Sequence, residues 1–104
     1  MDEGIAADGL AALGNKTRLR LYKLLVKAGD KGLNVNEIKS MVKVPSSTLA
    51  HHLTTLTQSG LIKQERQGRA VISSVNFPMM HGLLAYLTDE CCVGFCLTRE
   101  DEAA

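Results

Sequence analysis

The stretch Asn34-Val35-Asn36-Glu37-Ile38-Lys39-Ser40-Met41-Val42-Lys43-Val44-Pro45-Ser46-Ser47-Thr48-Leu49-Ala50-His51-His52-Leu53-Thr54-Thr55-Leu56 decides the fold. Asn34 with Glu37 three residues on resembles a capping box, which opens a helix predicted to run through Val42. Val44-Pro45 ends it, because the residue before a proline avoids the helical region. Ser46 or its neighbour starts a second helix. In it Leu49, Leu53 and Leu56 recur at i, i+4 and i+7, a narrow apolar stripe. The opposite face is expected to carry Ser46, Ser47, Thr48, Ala50, His51, His52, Thr54, Thr55 and Gln58, and Gly60 terminates the helix. Two helices joined by so short a break form a helix-turn-helix.

Downstream, Leu61–Arg66 and Arg69–Val75 are β-prone runs around Gln67-Gly68 and read as a hairpin. Upstream, residues 5–13 form a short helix ending at Gly14. Asn15 then caps a longer one that carries Leu19, Leu21, Tyr22, Leu24, Leu25 and Val26 and stops at Gly29. A last helix is expected over 78–90, with Met79, Met80, Leu83, Leu84, Tyr86 and Leu87 nearly all round. Such a helix is buried, and in so short a chain a partner subunit is a natural cover. The order predicts a mainly α architecture with a β-hairpin wing, that is, a winged helix-turn-helix.

The chain has 104 residues, too few for a second core, which would need roughly 50 more. It reads as one domain over 1–104, with a cysteine-containing tail over 91–104. No apolar run approaches the roughly 20 residues that span a bilayer. The acidic start Met1-Asp2-Glu3 does not suit an export signal, and three cysteines, two of them adjacent, are no disulfide framework, so a cytoplasmic location is expected. The formal net charge of +1 conceals a strong asymmetry. Residues 16–69 hold eleven of the twelve basic residues against Asp30, Glu37 and Glu65, a local net of +8, and the rest of the chain carries −7. A basic middle between acidic ends suits a polyanion, although a solvated helix surface carries lysines too.

Within that middle, the second helix of the pair enters the major groove in a winged helix-turn-helix, and its N-terminal side chains reach base edges. Small hydrogen-bonding residues let it sit deep. Ser46, Ser47 and Thr48 lie where helix amides favour phosphate, and His51 and Thr55 reach base or phosphate. Arg66 and Arg69 flank the wing tip, and Lys16 and Arg18 open the helix after Asn15, where backbone phosphates are plausible partners.

These segments resemble the ArsR/SmtB family of bacterial transcriptional repressors. The resemblance rests on Ala12-Leu13-Gly14-Asn15-Lys16-Thr17-Arg18-Leu19-Arg20-Leu21, on Ser47-Thr48-Leu49-Ala50-His51-His52-Leu53 followed by Ser59-Gly60-Leu61-Ile62, and on Arg66-Gln67-Gly68-Arg69. It implies a homodimer joined by the first and last helices, an inverted-repeat operator in double-stranded DNA, and release by an inducer. It also implies DNA contacts at Ser46, Ser47, Ala50, His51 and the wing arginines; Ala50 stands where the family usually has serine.

Cys91-Cys92-Val93-Gly94-Phe95-Cys96 follows the last helix. Thiolates select soft ions, and a trigonal centre such as arsenite or antimonite needs no fourth ligand, whereas structural zinc wants four. On a regular helix Cys92 and Cys96 share a face while Cys91 points roughly 100° away, so the three converge only if the helix ends near Cys92. The cluster resembles the C-terminal vicinal-cysteine arsenic site of some family members. The family's Cys-x-Cys box is missing from 35–42. Another soft metal and a thiol redox or reactive-sulfur switch are the alternatives, and no permanent cofactor is expected. An enzyme is not indicated: no nucleophile–His–acid constellation, phosphate loop or paired catalytic acids occur. A winged helix serving only protein interaction would not need the +8 block.

Overall fold

The computed structural model describes residues 1–95. Five α-helices run in the order α1 Glu3–Leu13, α2 Lys16–Ala28, α3 Val35–Met41, α4 Ser46–Gln58 and α5 Phe77–Thr88. Strands β1 Leu33–Asn34, β2 Ile62–Gln67 and β3 Ala70–Val75 form an antiparallel sheet in the order β1-β3-β2. The predicted winged helix-turn-helix is the fold observed.

Local chemistry accounts for most boundaries. The Asn15 side chain accepts from the Arg18 amide at 3.0 Å, and Asn34 and Glu37 form the reciprocal capping box at 2.8 and 2.9 Å. Helix α4 ends in a Schellman pattern, with the Leu61 amide on the Leu56 carbonyl and the Gly60 amide on Thr57. The third helix is one residue shorter than expected, with Val42 outside it as the C-cap. Helix α5 begins at Phe77 and stops at Thr88 rather than Glu90, so the polypeptide leaves the helix before the cysteines.

Strand β1 was not foreseen. Leu33 and Asn34 pair with Ser73 and Ile72, which ties the segment between α2 and α3 to the wing. Gly32 makes this possible. Its φ is +68°, and a Cβ there would overlap the Ser73 carbonyl and crowd Ile72.

Leu21, Leu25, Ile38, Leu49, Leu56, Leu61 and Val75 are the fully buried apolar side chains that hold α2, α3, α4 and the base of the wing together. Each contributes about 1.5–3 kcal/mol of burial. Helix α5 lies against α1 where Gly9 presents no side chain, and Leu83 and Met79 sit over it. Leu83 is buried, but Leu84 and Leu87 of α5 and Ile5 of α1 are half exposed or more, at 56%, 54% and 50%. The described residues thus leave α1 and α5 with an uncovered apolar face. No helix among them is long and apolar enough to cross a membrane.

Candidate nucleic-acid interface

The buried stripe of α4 consists of Leu49, His52, Leu53 and Leu56. That orientation exposes Ser46, Ser47, Ala50, His51, Thr54 and Gln58 as one continuous face. His52 lies on the buried side. It was expected on the exposed face, but it is only 7% exposed, because position 52 falls three residues after Leu49 and four before Leu56. Thr48 and Thr55 are half-buried at the margin of the exposed face. Thr55 lines a cleft with Asp8, Ala12 and Arg18, between α4 and the first two helices.

Among the described α-helices, α4 is the one whose start has no side-chain cap; Pro45 occupies the N-cap position. Asp2, Asn15, Asn34 and Asn76 cap the others. The first amides of α4 therefore keep hydrogen-bonding capacity at the positive end of the helix dipole, beside the Ser46 and Ser47 hydroxyls. No acidic residue occurs in its first turn.

The wing stands next to this face. Ser46, Ala50, Leu53 and Thr54 share a groove with Gln64 of β2 and Val71 of β3. Gln64 donates to the Ser73 hydroxyl at 3.1 Å, which fixes its amide beside α4. The hairpin closes between Gln67 and Ala70, leaving Gly68-Arg69 as a two-residue turn. Gly68 has φ +64°, the conformation such turns require. Arg69 projects from the turn, near the start of α3 in a cleft lined by Asn34 and Asn36, and Arg66 is exposed two positions before Gly68 on β2. Thr54 and Gln64 lie in the groove between α4 and the wing, beside the residues expected from the sequence. Thr54 follows Ala50 by one helical turn, a spacing visible in the sequence, whereas Gln64 is brought in by the β2–β3 register.

Lys16 is exposed at the first position of α2. Arg18, two residues on, is engaged internally. Its Nε donates to the Ala12 carbonyl at 2.6 Å and its Nη1 to His52 Nδ1 at 3.3 Å. Burial, then the Arg18 charge, then His51 hold the His52 pKa below the usual imidazole value.

At the C-terminal end, Cys91 and Cys92 are exposed thiols with sulfurs 3.3 Å apart. Glu90 and Cys92 take φ values of +62° and +65°, and Gly94 +85°. The predicted third thiol, Cys96, lies outside the described residues. Among the described residues no group of three or more His, Cys, Asp or Glu side chains is placed to hold a metal ion. The two adjacent thiols suit a thiophilic ion by their chemistry.

Comparison with known proteins agrees with this geometry. Residues 13–65 match a family profile described as a helix-turn-helix domain. The transcriptional repressor PagR of Bacillus anthracis is 32% identical over 81 residues, 78% of this chain and 79% of PagR. Its crystal structure aligns with a TM-score of 0.67 at 31% identity, covering 81% of this chain and 93% of that one. A putative arsenical resistance operon repressor of Halobacterium salinarum is 35% identical over 60 residues, 58% of this chain and 46% of that protein. An ArsR-like transcriptional regulator from Rhodococcus sp. RHA1 shares the fold, with a TM-score of 0.72 at 21% identity over 81% of this chain and 76% of its own.

Proposed function

The chain belongs to the ArsR-type winged helix-turn-helix regulators, a family of DNA-binding transcriptional repressors rather than of enzymes, and on that premise we propose how it reads DNA and what releases it. Helix α4 enters the major groove through Ser46, Ser47, Ala50 and His51, with Thr48 and Thr55 at its margin. Arg66 and Arg69 of the wing and Lys16 of α2 bind flanking phosphates or the neighbouring minor groove. The observation that carries this reading is the single exposed face of α4, uncapped at its start and continuous with the wing.

The working unit is a homodimer. The half-exposed Ile5, Leu84 and Leu87 on α1 and α5 supply the apolar face such a dimer covers, and two copies of α4 then address an inverted repeat. The inducer is arsenite or antimonite, held by the thiolates of Cys91, Cys92 and Cys96. Two observations support this: α5 ends before Cys91, and the Cys91 and Cys92 sulfurs face each other. Metalloid binding there reorganises the end of α5 and lowers DNA affinity, since an inducer acts only through different affinities for the two states. The same exposed thiol pair also favours a second reading, a repressor released by thiol oxidation.

The DNA reading is tested with a duplex selected from a random-sequence library by the wild-type protein. His51→Ala and Arg69→Ala each weaken its binding by about tenfold, and Arg69→Ala also lowers the dependence of log affinity on log salt by about one phosphate contact. Unchanged affinity in both variants contradicts the interface.

A further inference from the structure

Arg18 belongs to α2, but its side chain serves two other helices. Its Nε binds the Ala12 carbonyl, one of the terminal acceptors of α1 that no helical amide can reach, and a cation there also opposes the negative end of the α1 dipole. Its Nη1 binds His52, buried on the inner side of α4. An arginine can only donate, so His52 Nδ1 carries the lone pair and the ring proton sits on Nε2. The chain Ala12–Arg18–His52 thus runs from the last turn of α1 to the middle of α4, on the inner side of the helix that carries the exposed Ser47 and His51. Half-burial of Arg18 strengthens both bonds relative to exposed ones.

We propose that Arg18 and His52 form a strut that sets the angle of α4 against the end of α1, so that Arg18 is a positioning residue for DNA reading and not a phosphate contact. The strut gives α1, which shares the uncovered apolar face with α5, a direct mechanical connection to the recognition helix. A rearrangement at that face alters how α4 presents its outer side chains. The inference rests on the reading of α4 as the helix that enters DNA.

The test measures affinity for the selected duplex and for a random duplex, across salt, in wild type and in Arg18→Gln, His52→Phe, His52→Asn and the Arg18→Gln/His52→Phe double variant. Arg18→Gln and His52→Phe each reduce affinity for the selected duplex by about tenfold and leave that for the random duplex unchanged. The salt slope stays at the wild-type value, the double variant loses no more than the singles, and His52→Asn, which keeps an acceptor near the Nδ1 position, restores most of the affinity. Three results overturn the strut: a salt slope lowered by about one phosphate in Arg18→Gln, additive losses in the double variant, or full affinity in both singles. If His51→Ala also binds at full strength, the reading of α4 itself has failed, whereas loss in His51→Ala alone rejects only the strut. Should Arg18→Gln unfold, the His52→Phe and His52→Asn pair decides the matter by itself, and equal affinities for these two contradict the proposal.

Discussion

Arg18 and His52 meet 34 positions apart in the chain, Nη1 to Nδ1 at 3.3 Å, a contact that adds to burial in favouring the neutral histidine. A protonated Nδ1 has no lone pair for the guanidinium and would face it as a like charge.

Stability therefore falls on mild acidification. His52 binds its proton less readily folded than unfolded, because of burial, the Arg18 charge and His51. As pH drops below about 6.5, the unfolded chain takes up a proton that the folded chain refuses, and the folded state loses free energy until the lowered folded pKa is reached. The nearby ionisable groups are Arg18 on α2, His51 on α4, and Asp8 of α1, which lines the same cleft as Arg18. Urea unfolding at several pH values checks this: wild type weakens across that window more than His52→Phe, and equal slopes exclude His52 as the cause.

Short-range interactions announce themselves in the sequence, and long-range ones do not. Caps at Asn15 and Asn34 and the turn at Gly68 depend on residues within a few positions, and all lie where expected. His52 was misplaced because its polarity concealed a position on the same helical face as Leu49 and Leu56; its partner lies on another helix. Strand β1, only Leu33–Asn34, exists through pairing with β3 some forty residues later, so nothing local announces it. Gln64 became part of the candidate site through the β2–β3 hairpin register, which sets it opposite Ser73 and beside α4.

Tyr22→Phe leaves stability unchanged or raises it. Among the described residues the Tyr22 hydroxyl is buried without a hydrogen-bond partner, and burial alone pushes its pKa up. An unpaired buried hydroxyl costs about 1–3 kcal/mol, so removing it gains on the order of 1 kcal/mol. Urea unfolding measures the difference; a clear loss would mean the hydroxyl is satisfied.

Gly32→Ala and Gly68→Ala share a backbone problem but differ in space. Both positions have positive φ, yet a Cβ at Gly68 meets nothing within 4 Å, while at Gly32 it overlaps the Ser73 carbonyl. Gly68→Ala costs about 1–2 kcal/mol, and Gly32→Ala costs more, on the order of 4 kcal/mol, with the β1–β3 pairing displaced. Thermal unfolding of the two variants gives the comparison directly, and equal losses contradict it.

Leu84→Glu and Leu87→Glu produce monomers. Both side chains of α5 are more than half exposed, so a glutamate is tolerated in one chain and is buried without a partner only in a dimer. Sedimentation velocity reads the state, with DNA affinity falling in parallel; a wild-type sedimentation profile in both variants rejects the α1–α5 dimer.

Control of the DNA-reading head by thiols at the end of α5 is the step on which the proposed function depends. Its most direct test adds arsenite to the wild-type protein bound to its selected duplex, with zinc and a disulfide oxidant titrated in parallel and with serine at Cys91, Cys92 or Cys96. Arsenite frees the duplex from wild type while each serine variant stays bound. A complex that survives arsenite but dissociates with the oxidant, or serine variants that all still release with arsenite, would contradict it.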